Sequence, residues 1–182
     1  MNDSRDIVFV SVPYTDTWAP LMAPAVLKSI AVKAGKTSAT IDLNIQAVFT
    51  YNCQTSAEYM AFLIKKLSPT TQVIMGGAGL TNNLIGVSHY AEGLLQTKLI
   101  DFYIRGDGET ALYNYLTTER TDLPGINQSA WQELTNEDLV KLPPPDYDDY
   151  NFEEYSKRKV ISVLGSRGCV RNCTFCDIHA HW

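Results

Sequence analysis

Apolar positions along the chain alternate between continuous short runs and helical spacing. Ile7-Val8-Phe9-Val10-Ser11-Val12 is an almost unbroken apolar run stopped by Pro13, the pattern of a strand covered on both faces. Ala23-Pro24 then opens a predicted helix, with Val26, Leu27, Ile30, Ala31 and Ala34 on one face and Gly35 as a left-handed stop. Ser38–Leu43 alternates polar and apolar residues, the period of a second strand. Thr55 with Glu58 three residues on forms a capping-box pattern, and Tyr59, Phe62, Leu63 and Leu67 continue it as an amphipathic helix. Gln72–Met75 predicts a third buried strand, ended by Gly76-Gly77-Ala78-Gly79, and a helix is expected within Asn83–Leu95. Leu99–Ile104 predicts a fourth strand, closed by Arg105-Gly106-Asp107-Gly108-Glu109, and Thr110–Leu116 a fourth helix.

This β-α-β-α order predicts the α/β class, with an open doubly wound parallel sheet joined by right-handed crossovers. Loops after the strands of such a sheet gather at one edge, where ligands bind. Pro13-Tyr14, Asn44, Gly76-Gly77 and Gly106–Glu109 are the loops expected there. The periodicity dissolves over 121–159, where Pro143-Pro144-Pro145 and the acidic, tyrosine-rich Asp146–Tyr155 read as a stiff connector with a solvated surface strip. Val160–Leu164 reads as a new strand. The expected organisation is an α/β domain over 1–120, a linker over 121–159, and the start of a second domain over 160–182. The chain shows no internal repeat and no low-complexity tract.

Composition narrows the classes. Of 182 residues, 45% are apolar and 19% charged, enough to build a core. A net charge of −5 argues against a nucleic-acid binder. No apolar run approaches the ~20 residues of a membrane span, and MNDSRDIVFV lacks the basic and apolar regions of a signal peptide. Cys53 stands alone, while Cys169, Cys173 and Cys176 crowd into eight residues. Thiols so close, without an export signal, read as metal ligands in a reducing compartment, the cytoplasm.

The cysteine segment runs Ser166-Arg167-Gly168-Cys169-Val170-Arg171-Asn172-Cys173-Thr174-Phe175-Cys176, a C-x3-C-x2-C spacing. Three thiolates on one short loop can each bind one iron of a cubic cluster and leave the fourth iron open. Arg167 and Arg171 place positive charge beside it, and Gly168 permits a tight turn. The alternative for the same thiols is zinc completed by His179 or His181, although one compact block suits a closed tetrahedral site poorly. Gly76-Gly77-x-Gly79 and Gly106-x-Gly108 lack the full dinucleotide-binding spacing. Cys53 reads as a small buried residue. Asp107 and Glu109 read either as ligand contacts or, for Glu109, as a charge favourable at a helix start.

The phrase SRGCVRNCTFC resembles the signature of the radical S-adenosylmethionine (radical SAM) enzymes, with Phe175 as the aromatic residue before the third cysteine. The resemblance implies that Cys169, Cys173 and Cys176 hold a 4Fe–4S cluster whose open iron takes the amino and carboxylate groups of S-adenosylmethionine. One-electron reduction, from an external electron donor, then gives a 5′-deoxyadenosyl radical, with Phe175 packed near the adenine. It also implies a partial (β/α) barrel whose first strand, Val160–Leu164, leads into the cluster loop. The α/β region is similar to the Rossmann- or flavodoxin-like cobalamin-binding domain of one branch of that superfamily. The likeness rests on the helix ending at Gly35, Ile41-Asp42, Gly76-Gly77, Gly106-Asp107-Gly108-Glu109 and Leu142-Pro143-Pro144-Pro145-Asp146-Tyr147. It implies cobalamin near Gly76, Gly77, Gly106 and Gly108. The chain departs from many cobalamin domains in lacking an Asp-x-His-x-x-Gly motif, and His89 is in another setting.

A full barrel takes about 250 residues, and twenty-three follow Lys159. The expectation is therefore an N-terminal portion of a longer radical SAM enzyme, of methyltransferase or cyclase-like type, too short alone for catalysis. The alternative is a non-catalytic α/β module that binds cobalamin or another small ligand and carries a vestigial cysteine tail; a plain flavodoxin-like interaction domain is a third reading.

Overall fold

A computed structural model of the chain describes residues 5–11, 19–43, 53–77, 80, 90–127, 133–161, 163, 165–171, 173 and 174. It is an α/β fold built on two parallel strand pairs. Strand β1 (Ile7–Ser11) pairs with β2 (Ser38–Asp42), Ile7 opposite Ser38 and Ser11 opposite Asp42. Strand β3 (Ile74–Gly76) pairs with β4 (Phe102–Ile104), Gly76 opposite Ile104. The expected strands are present but shorter than their apolar runs. Val73, for example, lies outside the ladder; its carbonyl accepts from the Asp101 and Phe102 amides, and its own amide donates to Asp101 Oδ2.

Helix α1 (Met22–Lys33) precedes β2, with Pro24 in its first turn where no intrahelical N–H is needed. Gly35, at φ +74°, ends it as its position predicts. Helix α2 (Cys53–Leu67) begins before the Thr55–Glu58 pattern rather than on it. Helices α3 (Tyr90–Gln96) and α4 (Gly108–Thr118) follow.

Two apolar clusters explain why the strands read as continuous hydrophobic runs. Ile30, Ile104, Ala111, Leu112 and Ile126 form one, with Ile7, Phe9, Leu27, Ile74 and Phe102 against it. Both strand pairs thus face α1 and α4 in a single core. Ala61, Val73, Leu80, Ala91, Leu94, Ile100 and Tyr103 form the other, joined by Met75. Ile74 therefore faces one cluster and Met75 the other, so β3 is covered on both sides and alternation has no polar face to mark.

The acidic strip packs on the α/β core through its tyrosines, while Asp148, Asp149, Glu153 and Glu154 stay exposed. Helix α5 (Asn136–Val140), closed by a capping box between Thr135 and Asp138, leads into it. Tyr150 and Tyr155 are buried with Ala25, and Tyr147 and Phe152 lie against them. The Asp146 amide donates to the Ala25 carbonyl at 2.9 Å, and Asp149 Oδ2 accepts from the Thr40 amide at 2.8 Å. Lys28, 5% exposed on α1, pairs with Asp146 at 3.0 Å and Asp149 at 2.9 Å. At β2 the strip thus occupies the Thr40 amide, a donor that an exposed strand edge would otherwise offer to another strand.

The described residues of 160–164 form no strand, contrary to the expectation for Val160–Leu164. Val160, Ile161 and Val163 are exposed. A strand is held by a neighbour's backbone, and no described segment lies alongside this one. Among the described residues no helix is long and apolar enough to cross a membrane.

Candidate functional site at the sheet edge

Because β3 and β4 run parallel, the residues after both emerge at the same edge. Gly76 ends β3, and Gly77, at φ +100°, turns the chain where an added Cβ would meet nothing within 4 Å. Gly106 follows β4 at φ +87°, a backbone that side chains with a Cβ rarely adopt. Gly108 differs: it begins α4 and faces the Ile104 and Leu27 side chains at 3.6 and 4.0 Å. Of the four glycines expected at a ligand, three lie at the open edge and Gly108 looks into the core.

Arg105, the first residue after β4, adds charge to the edge. Its Nη2 bonds Glu92 Oε1 at 3.2 Å, and the Tyr103 hydroxyl donates to the same oxygen at 3.1 Å. Burial first, and then the Glu92 carboxylate, raise the Tyr103 phenol above its ordinary range. Arg105 Nε and Glu92 Oε2 are buried without a hydrogen-bond partner among the described residues, an arrangement that costs free energy unless something else satisfies them.

The cysteine loop is tied to this edge by a contact that the sequence pattern does not reveal. Arg167, with its side chain 13% exposed, reaches Asp107 and Glu109 at the start of α4. Its Nη1 bonds Asp107 Oδ1 at 2.7 Å and Glu109 Oε2 at 3.3 Å, and its Nη2 bonds Glu109 Oε1. Both acids are buried. Burial penalises the guanidinium's charge, but the Glu109 and Asp107 carboxylates outweigh it and raise the Arg167 pKa. Asp107 Oδ2 accepts a further bond from the Leu134 amide at 2.7 Å. Asp107 holds the N-cap position of α4 yet makes no side-chain cap bond; its two oxygens are spent on Arg167 and Leu134. The sequence reading has Arg167 place charge near the thiols, and Glu109 either contact a ligand or favour the helix start. The structure gives the two residues to each other, across 58 positions of sequence.

Two residues after Arg167, Cys169 is exposed; Cys173 is half-buried, and neither is disulfide-bonded. The Arg171 amide donates to Cys169 Sγ at 3.4 Å. Gly168 between Arg167 and Cys169 turns at φ +77°. Cys176 and Phe175, the third expected ligand and the expected adenine neighbour, lie outside the described residues, as do Tyr14, Asn44, His89, His179 and His181. Among the described residues no three His, Cys, Asp or Glu side chains gather as they would around a metal ion.

At the end of β2, Asp42 is buried and accepts hydrogen bonds from Ser11 at 2.8 Å and the Tyr155 hydroxyl at 2.5 Å. A polar pocket of about 160 Å³, lined in part by Thr40, Asp42, Asp149 and Glu154, opens beside it.

No protein-family model, curated protein or solved structure matches the chain.

Proposed function

We propose that the chain carries the cobalamin-binding and cluster-binding segments of a radical SAM enzyme. In this reading the four strands belong to one open doubly wound parallel sheet, and 160–182 begins a (β/α) barrel. Support for the single sheet comes from Ile7, Phe9 and Ile74, which share a core with α1 and α4. Support for the barrel comes from Val160, Ile161 and Val163, whose exposed side chains are ones a neighbouring layer would cover.

The observation that carries the reading is the C-x3-C-x2-C spacing of Cys169, Cys173 and Cys176. The donor chemistry fits an iron–sulfur cluster: two thiols outside any disulfide, one of them accepting a main-chain amide. When bound, a 4Fe–4S cluster would supply one-electron cleavage of S-adenosylmethionine, fed by a separate electron donor. The role of this chain's residues is to hold the thiols in place and to present Gly76, Gly77 and Gly106 to cobalamin at the sheet edge. Gly108, turned inward, contributes to that surface only through the backbone. A reducing cytoplasmic setting and small-molecule partners, rather than nucleic acid or membrane, belong to the same proposal.

The test is anaerobic reconstitution with ferrous iron and sulfide. About four irons per chain and a broad visible absorption are expected, both lost when the three cysteines become serine. Uptake of a single zinc, with no iron–sulfide chromophore, overturns the proposal.

A second reading, a ligand-binding module that needs no cluster, is favoured by Arg105 Nε and Glu92 Oε2, buried at the edge with no hydrogen-bond partner among the described residues. It predicts that hydroxocobalamin or another polar ligand is retained equally with and without the cysteines, in a protein that takes up no iron.

A further inference from the structure

The Arg167 contact sets two short sequence motifs against each other. Gly106-Asp107-Gly108-Glu109 forms the turn into α4, and Arg167-Gly168-Cys169 leads into the thiols. Three features mark the contact as more than a surface ion pair. The side chains of Asp107 and Glu109 are only 3% and 8% exposed, so two like charges share a desolvated site and need a cation. The guanidinium lies at the positive end of a helix dipole, where a cation is disfavoured unless carboxylates override it. Its fork also grips Glu109 through both Nη atoms while holding Asp107 with one, a geometry a point-charge ammonium cannot copy.

Asp107 forgoes its own helix cap in making this contact, although such a bond ordinarily stabilises a helix start. The neighbouring helix α5 keeps its capping box. At most about 7 Å of backbone separates the Arg167 and Cys169 Cα atoms, and Gly168 bends that link. Whatever fixes Arg167 therefore fixes the entry of the cysteine loop.

The geometry points to Arg167 as a positioning residue: its guanidinium pins the cysteine loop to Asp107 and Glu109, and so sets where the C-x3-C-x2-C thiols stand relative to the ligand edge of the sheet. The pinning deepens the cluster reading and rests on it only for what the thiols hold.

The test uses the full chain with Cys53, Cys173 and Cys176 replaced by serine and a nitroxide spin label on Cys169, with no metal present. The label should tumble slowly in this parent and faster by about a factor of three or more in Arg167→Ala, the difference between a held and a free loop. Arg167→Lys should recover part of the slowing, and Asp107→Asn with Glu109→Gln should loosen the label from the other side. Far-UV circular dichroism checks that the α/β core persists. Equal mobility in the parent and every folded variant overturns the proposal. So does collapse of the core in both Arg167→Ala and the double variant, which would make the contact part of the core itself. In a parallel arm, the chain with all cysteines is reconstituted with iron and sulfide, and Arg167→Ala should bind at least about twofold less iron. If the label loosens as expected but the parent chain takes up no iron, the cluster reading fails and the pinning stands.

Discussion

Asp42 shows what one buried carboxylate requires of its surroundings. It sits at the end of β2 with almost no exposure, and Ser11 and Tyr155 supply donors to its two oxygens. Tyr155→Phe removes one donor while keeping the ring packed on Ala25 and Tyr150. The loss should be about 1–3 kcal/mol, the cost of leaving a buried acceptor short of a partner, read as a lower urea midpoint. Burial, and then the Asp42 hydrogen bond, raise the Tyr155 phenol above its ordinary value of 10.0. Tyr150 and Tyr90 are raised as well, mainly by burial. In the unfolded chain these phenols lose their protons near pH 10, while in the folded chain they keep them. Above pH 10 the folded state thus binds more protons, and the stability present in full below that pH falls as pH climbs towards the folded values. A phenolate absorbance titration should show these tyrosines ionising only as the protein unfolds. Normal titration of all the tyrosines in a folded chain would contradict the Tyr155–Asp42 geometry.

At the scale of elements, α1 is held from two directions. Ile30 and Leu27 face the strands, and Lys28 faces the acidic strip that returns to β2. Lys28→Met keeps the aliphatic stem and removes the charge that Asp146 and Asp149 share. Because those carboxylates keep partial access to water, the cost should be about 1–3 kcal/mol, below that of breaking a fully buried pair. Limited proteolysis should then cut within 146–155 faster than in the parent. At the turn into α4, Gly106→Ala forces a Cβ into a left-handed backbone at φ +87°. A loss of about 1–2 kcal/mol is expected, measured by the same urea midpoint. Elements like α1 and β3 were legible in the sequence because a face that must be buried leaves a period behind. The strip was not: its tyrosines and aspartates carry no period, and one composition serves a solvated surface or an ion-paired cover. The absence of a strand among the described residues of 160–164 has a related reason. Apolar content shows that a segment can enter a sheet, whereas pairing depends on a neighbour that no local pattern supplies.

For the whole molecule, the question is how far the cysteine loop and the α/β core depend on each other. Each chemistry-bearing motif was visible as a motif: the glycine turns at the sheet edge and the three closely spaced cysteines. Their juxtaposition was not visible, because an ion pair spanning about sixty positions leaves no trace in spacing or periodicity. Among the described residues the three apolar clusters include neither Cys169 nor Cys173, so the core's burial energy does not pass through these two thiols. The Arg167 contact with Asp107 and Glu109 is an ion pair of the α4 turn and involves none of the thiols. We expect Cys169→Ser with Cys173→Ser and Cys176→Ser to leave the unfolding free energy from urea titration within about 0.5 kcal/mol of the parent, as for replacements outside a core. The same variant should lose iron binding while keeping whatever hydroxocobalamin the sheet edge retains, read by the cobalamin absorbance that elutes with the protein. A large drop in the midpoint would mean that the thiols are structural and that the loop and core fold as one unit. Loss of cobalamin together with iron would place that ligand between the loop and the edge, held from both sides.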